Sequence, residues 1–81
     1  MKITVTALSK FQRYFPARTS EVEFPGRSIS DFISWIKDEY GLDISLHRNV
    51  KLTHNTVMVK DFTTPLQEGD RLCFIPLVAG G

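Results

Sequence analysis

One cysteine, Cys73, stands alone in 81 residues. An internal disulfide is therefore excluded, and the usage fits a reducing compartment. No apolar run approaches the ~20 residues a membrane span needs. Met1 to Thr6 alternates polar and apolar residues and lacks the continuous apolar core of a signal peptide. The expected location is the cytoplasm. Charge of one sign is also lacking, since ten Lys and Arg against nine Asp and Glu leave +1. With those cations scattered, no basic stripe argues for nucleic acid and no basic amphipathic helix for a membrane surface. Gly26, Gly41 and Gly69 are isolated, so no phosphate-cradling loop is present.

Catalytic and metal constellations are equally sparse. His47 and His54 are the only imidazoles, and nothing local ties either to Cys73. Cys73 lies in mid-strand rather than at a helix N-terminus that would lower its pKa. Two histidines and one distant cysteine do not supply the closely spaced ligands of a metal site. The expectation is a carrier or binding domain, not an enzyme, with no metal and no bound cofactor.

The length supports one domain, residues 1–81, and one modest core. Lys2 to Leu8 reads as a strand with Ile3, Val5 and Ala7 on one face. Ser9 is a candidate cap for a helical turn over Lys10 to Phe15, where Phe11, Tyr14 and Phe15 would close one end of the core. Glu21 to Phe24 forms a second strand, with Val22 and Phe24 inward, paired antiparallel to the first. Ser28 to Tyr40 is the clear helix. Ser28 and Asp31 suit a capping box, and Ile29, Phe32, Ile33, Ile36 and Tyr40 form one apolar stripe. Gly41 sits where a left-handed cap is needed.

Leu42 to Asn49 alternates enough for a short strand or an extended loop. Val50 to Thr53 and Thr56 to Lys60 read as short strands about a tight connection at His54-Asn55. Polarity puts Val57 and Val59 inward. Phe62, Pro65 and Leu66 are expected to cover the core. The order predicts an α+β domain: a mixed sheet of four to five strands with one main helix on one face.

The most informative stretch is the last. Gly69-Asp70 is turn chemistry, and Arg71 to Ile75 alternates, with Leu72 and Phe74 opposite Arg71, Cys73 and Ile75. Pro76 lacks an N–H and ends the strand. Residues 77–81 come next, a tail without a charged side chain. A Gly-Gly end is the thinnest thread a chain can offer, and five extended residues reach roughly 17 Å.

Gly69, Asp70, Leu72, Phe74, Pro76, Val78, Gly80 and Gly81 together resemble the C-terminal signature of the MoaD/ThiS family of ubiquitin-like sulfur carriers. The length and Phe74-Ile75-Pro76 look closer to the MoaD members. Ile75 and Leu77 stand where those members often have a second aromatic and a second proline. The resemblance implies a β-grasp, ubiquitin-like fold, with the last strand central and parallel to the first. It implies that Gly81 ends the chain. An E1-like enzyme of the MoeB/ThiF type, using ATP, would adenylate the Gly81 carboxylate, and a sulfur donor would convert it to a thiocarboxylate.

The same resemblance implies that Val78, Ala79 and Gly80 thread into a partner, such as the large subunit of molybdopterin synthase. Ile75, Val59, Leu8 and Leu77 are the candidate partner-binding residues, the first three on the sheet face away from the helix. Thiamine thiazole formation, cysteine or homocysteine synthesis and tRNA thiolation are alternative destinations for the sulfur. Conjugation of Gly81 to protein lysines, as in a ubiquitin-like modifier, is a further one.

Overall fold

Alternation in the first and last strands dictates the architecture. Ile3, Val5, Ala7, Leu72 and Phe74 are all at most 1% exposed, and their neighbours in sequence face the other way. The computed structural model describes residues 1–47 and 49–77. Within them β1 (Lys2–Ala7), β2 (Thr19–Glu23), β3 (Val50–His54), β4 (Val57–Met58) and β5 (Arg71–Pro76) form one sheet in the order β2-β1-β5-β3-β4. β1 and β5 run parallel, with Val5 beside Leu72 and Ala7 beside Phe74. All other pairs are antiparallel. A parallel pair needs a long crossover, and the segment carrying helix α1 (Ile29–Tyr40) supplies it.

The ends of α1 follow from four residues. The Ser28 hydroxyl accepts a hydrogen bond from the Asp31 N–H at 3.1 Å, and the Asp31 carboxylate accepts from the Ser28 and Arg27 N–H groups, both at 3.1 Å. Those bonds, led by the one from Ser28, hold the Asp31 carboxyl below its ordinary pKa. At the other end Gly41 adopts φ 75°, which costs glycine nothing. Ile29, Phe32 and Ile36 are buried, whereas Ile33 and Tyr40 are half-buried at the stripe's margins. Trp35 packs edge-on against Tyr40 and tilted on Phe24 and Phe32.

Four local expectations are corrected. Ser9 caps nothing: it has φ 54°, and Leu8 precedes the 3-10 helix Ser9–Tyr14 without a side-chain bond. The stretch after Gly41 is neither strand nor open loop. Asp43 accepts from the Ser45 N–H at 3.0 Å and its hydroxyl at 2.6 Å, winding Ile44–Leu46 into a second 3-10 helix that leaves Leu46 78% exposed. The tight connection is Asn55-Thr56, both at positive φ, and the strand after it is only Val57–Met58. Of Phe62, Pro65 and Leu66, only Leu66 is buried. Phe62 is 43% exposed because the loop instead gives the Phe62 and Thr64 carbonyls to the first N–H groups of α1.

Candidate functional site

The candidate site is the far end of β5, where the chain leaves the sheet. β5 is central, so its backbone is held on both sides, by β1 and by β3. Phe74 is fully buried there beneath an aromatic plug. Its ring lies 6.4 Å from Phe11 and 6.3 Å from Phe15, near parallel to the latter. Phe15 in turn meets Tyr40 at 4.8 Å, and Phe11 meets His47 edge-on at 5.1 Å. Aromatic pairs at these separations add to burial alone. The last ladder partner is Val50 beside Pro76, after which the backbone bends at Leu77, whose N–H donates to the Asn49 carbonyl at 2.8 Å. The exit point of the tail is thus fixed by the core.

The start of β5 is fixed by charge. The Asp70 carboxylate accepts from His54 Nε2 at 2.7 Å, from the Gln67 N–H at 2.9 Å and from the Asn55 amide at 3.1 Å. Asn55 also exchanges bonds with Arg71, accepting from its N–H through Oδ1 and donating its own N–H to the Arg71 carbonyl, both at 2.8 Å. Burial pushes the Asp70 carboxyl up. The bonds from His54, Gln67 and Asn55 outweigh it, and the net shift is downward. This knot ties the β3–β4 turn to the turn before β5, and so fixes the register of the strand that carries the tail.

The named candidate residues divide among three places. Gly81, Gly80, Ala79 and Val78 lie outside the described residues. Ile75 is half-buried on the open face of the sheet, in a shallow depression of ≈ 370 Å³ with Thr6, Thr53, Arg71 and Cys73. Leu8 is half-buried just beyond β1, its N–H donating to the Phe74 carbonyl at 3.1 Å. Burial pushes the Cys73 thiol up, with Arg18 and Thr53 opposing by less.

Val59 is not on the face of Ile75. Its N–H donates to the Leu52 carbonyl at 2.9 Å, and the β3–β4 register sets it opposite buried Leu52. It therefore turns to the helix side and packs against the core. There it lines a groove with Leu77, Ile44, Val50, Met58 and Phe62. The structure brings Val59 and Leu77 together and leaves Ile75 on another surface. Met58 and Phe62 join this site without a clear sequence signal; an aromatic after the charged pair Lys60-Asp61 is the one hint.

Comparison with known proteins decides the family. The family model described as the ThiS family matches residues 10–81. The chain belongs to the ThiS family. Solved structures agree on the fold. A Pyrococcus furiosus protein described as a putative molybdopterin converting factor, subunit 1, superposes with a TM-score of 0.78 at 22% identity, over 96% of this chain and 99% of that one. Small archaeal modifier protein 1 from Methanosarcina acetivorans gives 0.77 at 14%, over 99% and 96%. The BexX/CysO complex of Amycolatopsis orientalis gives 0.70 at 21%, over 98% and 99%. At such identities the likeness shows the fold alone, a ubiquitin-like β-grasp. No curated protein sequence matched. No helix among the described residues is long and apolar enough to cross a membrane.

Proposed function

We propose that this ThiS-family chain is a sulfur carrier working through the carboxylate of Gly81. The carboxylate oxygen attacks the α-phosphorus of ATP on an E1-like enzyme, releasing pyrophosphate and leaving an acyl adenylate. A hydrosulfide-equivalent donor then adds to the activated carbonyl and displaces AMP, giving a thiocarboxylate. That sulfur is a good nucleophile at neutral pH and passes to an acceptor bound in another protein, most favourably a molybdopterin precursor. Family membership over residues 10–81 carries the reading. The placement of β5 supports it, since a strand clamped at Asp70 and plugged at Phe74 presents the residues after Pro76 to a partner from a rigid base. The carrier brings the tail and a docking surface, and the chemistry belongs to its partners.

The small archaeal modifier among the structural neighbours favours one second reading, conjugation of Gly81 to a lysine amine of a target protein. One experiment separates the two. The protein is incubated with ATP, an E1-like activator and a sulfur source, and its intact mass is taken. A gain equal to one oxygen replaced by sulfur, mapped to Gly81, is the expected result. Lysine-linked adducts on other proteins with no sulfur gain would transfer the assignment to the modifier.

A further inference from the structure

The fold sorts charges that lie scattered along the sequence. All nine Asp and Glu fall within residues 21–43 and 61–70, and of the ten Lys and Arg only Arg27 and Lys37 join them. Those two stretches build most of β2, all of α1 and the loop leading into β5. No acid lies in β1, the first 3-10 helix, β3, β4 or β5.

Five cations gather along β5 and at its end. Arg71 alternates with buried Leu72 and Phe74, so it faces the open side of the sheet. Lys51 is the ladder partner of Ile75 and shares that face. Arg18 precedes β2, its carbonyl accepting from the Ala7 N–H at 2.8 Å; its charge is felt at the Cys73 thiol, opposing the upward push of burial there. Lys10 and Arg13 are three positions apart in the 3-10 helix, which puts them on one side of it. The Lys10 ammonium stands 5.5 Å from the Phe11 ring centre and the Arg13 guanidinium 5.2 Å from that of Tyr14. Phe11 packs on Phe74, so this pair flanks the end of β5. None of the five makes an ion pair among the described residues. Half-buried Ile75 and Leu8 lie among them.

An apolar centre bordered by unpaired cations fits an acidic protein face better than a nucleic acid. A phosphate backbone crossing the whole sheet would meet Glu21 and Glu23 on β2, opposite Thr4 and Lys2. No base could stack there either, because Phe74 is the one Phe, Tyr or Trp in the strands and it faces the core.

We infer that the band formed by Arg71, Arg18, Lys51, Arg13 and Lys10 is an electrostatic docking surface for an Asp- and Glu-rich face on the protein that takes the chain's end. The inference rests on the reading that Gly81 is handed to such a partner. It adds what that partner presents: carboxylates around the mouth of its channel. Opposite charge speeds the encounter and orients it, so that the end of β5 arrives facing the channel.

Amide NMR of the chain titrated with deca-glutamate at low salt tests the surface without any partner. The amides of Lys10, Arg13, Arg18, Lys51 and Arg71 should shift, those of Asp38 and Glu39 on α1 should not, and added salt should reverse the shifts. Equal shifts along the whole chain, or none, would overturn the inference. So would deca-thymidylate saturating the same amides at a lower concentration, which would assign the band to nucleic acid. A second arm uses the triple variant Lys10→Glu, Arg13→Glu, Arg18→Glu, which alters exposed side chains only; a thermal melt verifies that it folds. With an E1-like activator, the variant's concentration for half-maximal ATP-dependent pyrophosphate release should rise about tenfold. A variant equal to wild type would overturn the inference and leave the carrier reading standing. Glutamate-specific shifts with no pyrophosphate release from wild type would retain the acidic partner and withdraw the carrier reading.

Discussion

Replacing Asp70 by alanine removes the acceptor on which three donors converge: His54 Nε2, the Gln67 N–H and the Asn55 amide. The His54 and Asp70 side chains are 20% and 14% exposed, so water reaches the orphaned donors only in part. Hydrogen bonds to a charged group contribute about 1.5–3 kcal/mol each, and donors left unpaired cost about as much. Because the three share one carboxylate and partly resolvate, their loss does not sum; a total of about 2–3 kcal/mol is expected. In a domain of this size each kcal/mol moves the melting point by about 4–8 °C. Asp70→Ala should therefore melt about 10–20 °C lower at neutral pH, monitored by circular dichroism.

The pH dependence gives an independent arm. The carboxyl's pKa is depressed on folding, so its contribution is complete above the unfolded value of 3.8 and is lost as pH falls through the lower, folded value. The gap between wild type and variant should narrow as pH drops below 3.8. A melting point within about 3 °C of wild type at pH 7, or a gap that stays constant into acid, would refute the claim that this knot holds β5 in place.

The same geometry fixes three further outcomes. Ser28→Ala removes the cap of α1 and should cost about 1 kcal/mol in denaturant unfolding with no change in the fold's spectrum. Cys73 should react more slowly with iodoacetamide at pH 8 than a free thiol, since burial pushes its pKa up; a reaction as fast as that of free cysteine would show an open thiolate there. Ile75→Asp should weaken binding to an E1-like activator while leaving the melting point within a few degrees, because the side chain faces the open side of the sheet; unchanged affinity would remove Ile75 from the docking surface.

How legible each part is depends on whether its cause is local. The signals for α1 sit within a turn of one another: Ser28, Asp31, a 3.6-residue stripe and Gly41. The faces of β1 and β5 follow from strict alternation between core and open side. The stretch 42–47 hides its structure because the Asp43–Ser45 bond that winds it into a 3-10 helix leaves no trace in polarity. The face of Val59 hangs on a register set by Asn55 and Thr56 at φ 50° and 75°, a conformation that a β-branched threonine seldom adopts and its sequence does not announce. Polarity puts Val57 and Val59 inward, and the family resemblance puts Val59 outward. The register sets Val59 against the core, whereas Val57, on the edge strand, is 67% exposed and that expectation is corrected. The exposure of Phe62 depends on carbonyls committed to the N-terminus of α1, a relation between distant segments.

The parallel pairing of β1 with β5 also governs the order in which the chain can acquire its structure. Thr4 pairs with Arg71, 67 positions later (71 − 4), and β3 reaches β1 only through β5. Until residues 71–76 arrive, β1–β2 and β3–β4 are two separate hairpins, each too small to be stable alone. The sheet closes by its most sequence-distant contacts, a topology that folds more slowly than one built from local pairs. Joining the sheet and placing Leu77 are therefore one event. A chain cut short before Arg71 has no joined sheet, and a chain with that sheet already holds Leu77 at its exit.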